Sequence, residues 1–148
     1  MEIPQIQEIE IVYRNPIAKI DRQKITSSLD ASEIFRKYIG NKLDYQEIFC
    51  LMPLNNSNEV LGIIEISRGG ATGTIVDVKQ VFQKLLKCNA IGFLMAHNHP
   101  SGNTRPSEAD KKLTKKIKEA ANFLDITLLD HLIITTESYY SFADECIL

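Results

Sequence analysis

His97-Asn98-His99-Pro100-Ser101-Gly102-Asn103-Thr104-Arg105-Pro106-Ser107-Glu108-Ala109-Asp110 is the stretch on which the reading of this chain turns. The apolar run before it, residues 90–96, reads as a buried strand ending at His97. Behind it, residues 107–123 read as a helix, with Leu113, Ile117, Ala120, Ala121 and Leu124 marking its buried side. On an extended backbone, side chains two apart point the same way, so His97 and His99 can reach one point. Pro100, Gly102 and Pro106 break regular structure, which lets the loop fold back and bring Asp110, in the first helical turn, beside them. Two neutral imidazoles and a carboxylate make a three-ligand metal set. The fourth tetrahedral position stays open to water, which separates a catalytic zinc site from a structural one. A second reading stays open on spacing alone: Ser107-Glu108-Ala109-Asp110 also matches a capping box, in which Asp110 only satisfies backbone amides. Two of the three histidines of the chain stand in this stretch, which favours the metal.

Working outward, residues 9–14 alternate as an edge strand would. Residues 31–39 carry Ile34, Phe35, Tyr38 and Ile39 at helical spacing, with Asp30 as N-cap. Residues 48–54 and 60–66 are β-rich runs, and Asn55-Asn56-Ser57-Asn58 between them reads as a hairpin turn. Residues 67–73 form a loop without a phosphate-binding pattern. Asp77 caps a second helix with Val78, Val81, Phe82, Leu85 and Leu86 along one face. Strands near residues 126–134 and 139–142 close the chain. Helices interspersed with strands predict an α/β or α+β sheet domain of three layers or fewer.

A chain of 148 residues, 44% of them hydrophobic and without a low-complexity tract, can bury one ordinary core. Seventeen basic against nineteen acidic residues leave a net charge of -2, which supplies no general pull toward nucleic acid. The start, Met1-Glu2-Ile3-Pro4, lacks the pattern of a signal peptide, and no apolar run approaches the ~20 residues a membrane helix needs. The expectation is a cytoplasmic protein with no membrane partner. Cys50, Cys88 and Cys146 are odd in number and far apart among apolar neighbours, so they read as small buried hydrophobes. Lys111, Lys112, Lys115, Lys116 and Lys118 give the third helix a basic face, read as solvated because no aromatic residues interleave for stacking.

His97-x-His99, seven intervening residues, Ser107, two residues and Asp110 resembles the JAMM (JAB/MPN) metalloprotease motif. The longer run His97-Asn98-His99-Pro100-Ser101-Gly102 with Pro106-Ser107 resembles the RadC-like branch of that superfamily. So do Gln46-Glu47-Ile48-Phe49, Ser67-Arg68-Gly69, Asp130-His131-Leu132-Ile133 and Tyr140-Ser141-Phe142. The resemblance covers residues 30–148 and implies a single JAB/MPN-like domain, a mixed β-sheet flanked by helices, behind an N-terminal extension of residues 1–29. Many RadC-like proteins carry an N-terminal helix-hairpin-helix region, and the residues ahead of the domain are too few for it. The resemblance further implies Zn2+ on His97, His99 and Asp110, and a peptide or protein substrate. It also implies a catalytic glutamate that opens a strand after a helix, and Glu47 stands there. By residue type alone Glu59 and Glu65 compete with it. Ser107 is an N-cap whose type also suits oxyanion support, the part the motif implies for it. His131 reads equally as a partner behind the metal ligands or as a satisfied core histidine.

Other functions stay in view. A DNA-processing role is attached to the RadC name, and nucleic acid is a possible partner with little support from charge. HNH nucleases spread those letters over a longer element. Zinc deaminases need H-x-E and P-C-x-x-C, and neither occurs here. A binding module that kept the fold without turnover is the remaining alternative. Residues 67–76 and 100–106 are the expected walls of a substrate cleft, while substrate identity and oligomeric state are not legible.

Overall fold

The computed structural model describes residues 9–69 and 75–148. Among them, five strands form one mixed sheet: β1 (Ile48–Leu54), β2 (Ile64–Arg68), β3 (Gly92–Asn98), β4 (Thr127–Ile134) and β5 (Tyr139–Ser141), in spatial order β2-β1-β3-β4-β5. Three α-helices accompany it: α1 (Ser28–Ile39), α2 (Val78–Lys87) and α3 (Glu108–Phe123). β3 and β4 run parallel, joined through α3, and the other neighbours are antiparallel. This is the mixed sheet flanked by helices that the α/β (α+β) expectation describes.

The strand alternation sorts the core into two clusters. Ile48, Cys50, Met52 and Leu54 of β1 join Leu94 and Ala96 of β3 beneath Ala31, Phe35 and Ile39 of α1. On the opposite face, Phe49, Leu51, Phe93 and Met95 meet Val81, Phe82 and Leu85 of α2 and Ile117 and Ala121 of α3. With both faces covered, β1 and β3 are buried at every position, which is why each reads as a continuous apolar run.

Several boundaries differ from expectation for local reasons. Residues 9–14 form no strand; their alternation finds no partner, all are exposed, and Tyr13 is tied only through its hydroxyl to the Leu61 carbonyl. The N-cap of α1 is Ser27, not Asp30: Asp30 sits three residues in and closes a capping box by accepting from the Ser27 N–H. β2 begins at Ile64 instead of residue 60: after the Asn55–Asn58 turn Glu59 and Val60 make only isolated bridges, to Lys24 and Leu54, and the continuous ladder with β1 starts where Ile64 pairs with Leu51. Asp77 does cap α2, but Leu86 points outward. Leu124, at the C-cap of α3, is exposed as well. Cys50 and Cys88 are buried, whereas Cys146 lies exposed in the C-terminal turn.

One buried carboxylate ties the end of the chain to the sheet. Asp130 on β4 accepts from the Ser141 hydroxyl (2.6 Å), the Ala143 N–H (3.0 Å) and the His131 N–H (2.7 Å), stapling the C-terminal turn to the sheet. Burial pushes its carboxyl above the usual range, against the pull of those three donors. Asp130→Ala strands the donors, at a cost of about 1–3 kcal/mol for each one left without a partner. Chemical denaturation should therefore show a clear loss of stability; a midpoint equal to that of the parent chain would remove the staple from the account.

Candidate metal centre

β3 ends in polar side chains that leave by opposite faces. His97 follows Phe93 and Met95 toward α3, and Asn98 follows Leu94 and Ala96 toward α1. The His99 N–H donates to the Ile134 carbonyl (3.1 Å), which prolongs the parallel pairing by one residue and keeps the backbone extended. His99 therefore emerges on the His97 side, and the two Nε2 atoms stand 3.0 Å apart. The chain then turns sharply: the Gly102 N–H donates to the His99 carbonyl, at a φ of 81° that suits glycine. This turn carries the Asn103 carbonyl to within 2.7 Å of His99 Nδ1.

Asp110 completes the group from α3. Its carboxylate lies 3.3 Å from His97 Nε2 and 3.6 Å from His99 Nε2. It also accepts from the Ser107 N–H (2.8 Å), while Ser107 Oγ accepts from the Asp110 N–H (3.0 Å). The capping box is present, and the geometry leaves room for the metal reading beside it. Asp110 closes a capping box with Oδ2, the oxygen that also faces His99, and turns Oδ1 to His97. Glu47, immediately before β1, approaches the histidines as well: one ligand atom from each of Glu47, His97 and His99 lies within 4.8 Å of the others. The competing glutamates are engaged elsewhere, Glu59 with Asn55 (2.7 Å) and Arg22, and Glu65 with Arg68.

The donor spacing suits a metal. Bonds of 2.0–2.1 Å in tetrahedral array put donor atoms about 3.3 Å apart, and the three separations here, 3.0, 3.3 and 3.6 Å, bracket that value. The electrostatics agree. Burial pushes the Asp110 carboxyl up, but the His97 and His99 rings, which donate to it when protonated in the metal-free chain, overcome that and hold the group well below the usual carboxylate range. His99 is raised in turn, first by Asp110 and further by the Asn103 carbonyl. Both shifts describe a point that attracts positive charge.

Two residues around the centre, Asn98 and Thr114, escaped the reading of spacing, and a third, His131, was left between two roles. Asn98 is fully buried and makes three hydrogen bonds: Oδ1 accepts from the Ile48 N–H (2.8 Å), and Nδ2 donates to the carbonyls of Leu43 (3.0 Å) and Gln46 (2.8 Å). Two of these partners flank Glu47, and the Gly69 N–H holds the Glu47 carbonyl itself (2.8 Å). The available signal was an amide at the end of a buried strand, on the face opposite His97. His131, weighed only as a partner or a core residue, lies directly behind His97, Nε2 to Nδ1 at 2.9 Å. Thr114 on α3 stands behind His131, and nothing in its spacing distinguishes it from other α3 residues. Of the expected cleft walls, residues 70–74 lie outside the described residues. The lysines of α3 are exposed apart from half-buried Lys118, which donates to the Leu148 carbonyl (2.8 Å).

Comparison with known proteins shows the family. A family model described as the RadC-like JAB domain matches residues 25–147. A UPF0758 protein of Flavobacterium johnsoniae is 53% identical over 123 residues, covering 83% of this chain and 53% of its own length. UPF0758 proteins of Porphyromonas gingivalis and Fusobacterium nucleatum are 39% and 35% identical, with 95% and 91% of this chain covered and 62% and 60% of their own. The chain thus spans little more than half the length of these curated relatives. With a match over nearly all of its sheet and helices, the chain belongs to the RadC-like JAB domain family.

Proposed function

We propose that this domain is a zinc-dependent hydrolase of peptide or isopeptide bonds, with His97, His99 and Asp110 holding the metal. The observation that carries the reading is the convergence of the two Nε2 atoms, 3.0 Å apart, with Asp110 against both and Glu47 within 4.8 Å. Imidazole and carboxylate suit zinc. When bound, the ion supplies Lewis acidity, lowering the pKa of water toward ~7 and polarising a carbonyl.

The remaining chemistry falls to the chain. Glu47 is the general base: a carboxylate oxygen takes the proton of the attacking water and later delivers it to the leaving amine. It is half-buried, on a backbone clamped by Asn98 and Gly69, so its reach toward the histidines is fixed from behind. Ser107 accepts from the helix amide through a lone pair, which leaves its hydroxyl proton free to donate to a carbonyl oxygen gaining charge. Capping and oxyanion support are therefore compatible in one side chain. Asp110 orients the imidazoles and is itself held by the cap.

Two outcomes test this. Metal analysis of the purified chain should give one zinc per chain, lost in His97→Ala and Asp110→Ala. Because Asp110 raises His99, its proton competes with zinc most strongly below pH 6.5 and progressively less as pH rises beyond the shifted pKa, so affinity measured by chelator competition should fall on acidification. A pH-independent affinity would count against His99 as a ligand. Glu47→Gln should keep the zinc and lower turnover of a peptide and isopeptide library by about 10²–10⁴-fold, the usual worth of a general base. Equal turnover in that variant rules Glu47 out.

A further inference from the structure

We propose that His131 and Thr114 are positioning residues that fix His97 in the tautomer whose Nε2 lone pair faces the metal. This role rests on the zinc reading of the site and goes beyond it to two residues that touch neither metal nor substrate.

A buried chain of hydrogen bonds runs from Thr114 through His131 to His97, and each link has one proton. The Thr114 hydroxyl has a single proton, and it donates to the Asp110 carbonyl at 2.7 Å, a group that can only accept. At its contact with His131 Nδ1 (2.6 Å) Thr114 Oγ1 must then be the acceptor, so Nδ1 of His131 carries a proton. The ring of His131 is wholly buried and no carboxylate bonds to it, so it is neutral and presents a lone pair at Nε2. That lone pair sits 2.9 Å from His97 Nδ1, which must donate. A neutral His97 is left with its lone pair on Nε2, the atom that faces His99 and Asp110. His99 reaches the same state more directly, since its Nδ1 donates to the Asn103 carbonyl (2.7 Å). With both Nδ1 atoms donating elsewhere, the two Nε2 atoms, 3.0 Å apart, are left to share a cation, a proton in the free chain or a metal ion when one is bound.

The fold holds each member of this chain in place. Parallel pairing sets His131 opposite Met95 and on the α3 side of the sheet, one alternation below His97. The His131 ring stacks on Phe142 (centroids 4.6 Å apart) and meets the edge of Phe49. Thr114 is one helical turn after Asp110, so the residue whose carboxylate faces the metal position also terminates the chain through its carbonyl. Without Thr114 the order can reverse: His131 would carry its proton on Nε2, His97 would accept at Nδ1, and the His97 Nε2–H would block the metal.

The test uses the whole chain, Zn2+ alone, and two readouts independent of turnover. Chelator competition gives the zinc affinity, and long-range 1H–15N spectra of the imidazoles give the tautomers. Thr114→Ser, which keeps the hydroxyl, should bind as the parent does. Thr114→Val, close in shape, should bind about 10–100-fold more weakly, the usual effect of removing a partner behind a metal ligand. The parent should show the Nδ1–H form of His131, and Thr114→Val the Nε2–H form. Parental affinity in Thr114→Val, or Nε2–H on His131 in the parent, overturns the role. The parent spectrum alone decides if Thr114→Val does not fold. A parent chain that binds no zinc overturns the metal reading itself, an outcome distinct from equal binding by parent and variant.

Discussion

Successive side chains of a strand leave by opposite faces, and at the end of β3 this single constraint builds the whole centre. It sends His97 toward α3, where it faces Asp110, and Asn98 toward the segment between α1 and β1, where Glu47 lies. A one-residue slip of β3 against β4 would exchange the two, placing an imidazole among the backbone groups of residues 43–48 and an amide against Asp110. Register is guarded against that slip by burial on both faces. Leu94 and Ala96 fill the α1 cluster while Phe93 and Met95 fill the other, and neither set is interchangeable with the polar pair that follows.

Asp110 shows how a helix terminus and a metal position can share one carboxylate. Burying a charged group is costly unless it is bonded on every side. Here the Ser107 N–H takes one oxygen, the imidazoles approach both, and the position near the start of α3 adds the favourable end of the helix dipole. The cap is therefore not a rival to ligation. It holds the carboxylate still so that only the imidazoles and a cation need to be accommodated. The same economy recurs at Ser107, whose lone pair and proton face different partners.

The parts of this arrangement that a sequence can carry are those that are local. His97, His99 and Asp110 lie within fourteen positions, joined by a loop whose prolines and glycine announce a turn, so their meeting could be read from spacing. Glu47 is fifty residues away from His97 along the chain, and only the family resemblance pointed to it, because strand order β2-β1-β3-β4-β5 is not written in periodicity. Thr114 and Asn98 were illegible for a related reason: a buried polar residue declares itself only once its partners are known. The errors at residues 9–14 and 60–63 are of the opposite kind. Alternation there is real, but a strand also needs a neighbour with free amides and carbonyls, and that is a property of topology.

A base that takes a proton from water and gives it to an amine must serve two positions with one carboxylate, which sets competing demands on Glu47 in the proposed hydrolase. Its backbone has to be rigid, or the reach to the histidines would vary; its side chain has to remain free to move between the two. The chain meets these demands separately. Asn98 and Gly69 fix the peptide groups on both sides of Glu47, and no described hydrogen bond ties its carboxylate. The contrast with Asp110, whose carboxylate is bonded by the cap and faced by both rings, divides the two acids by role: the one immobilised in its side chain suits ligation, and the one immobilised only in its backbone suits proton transfer.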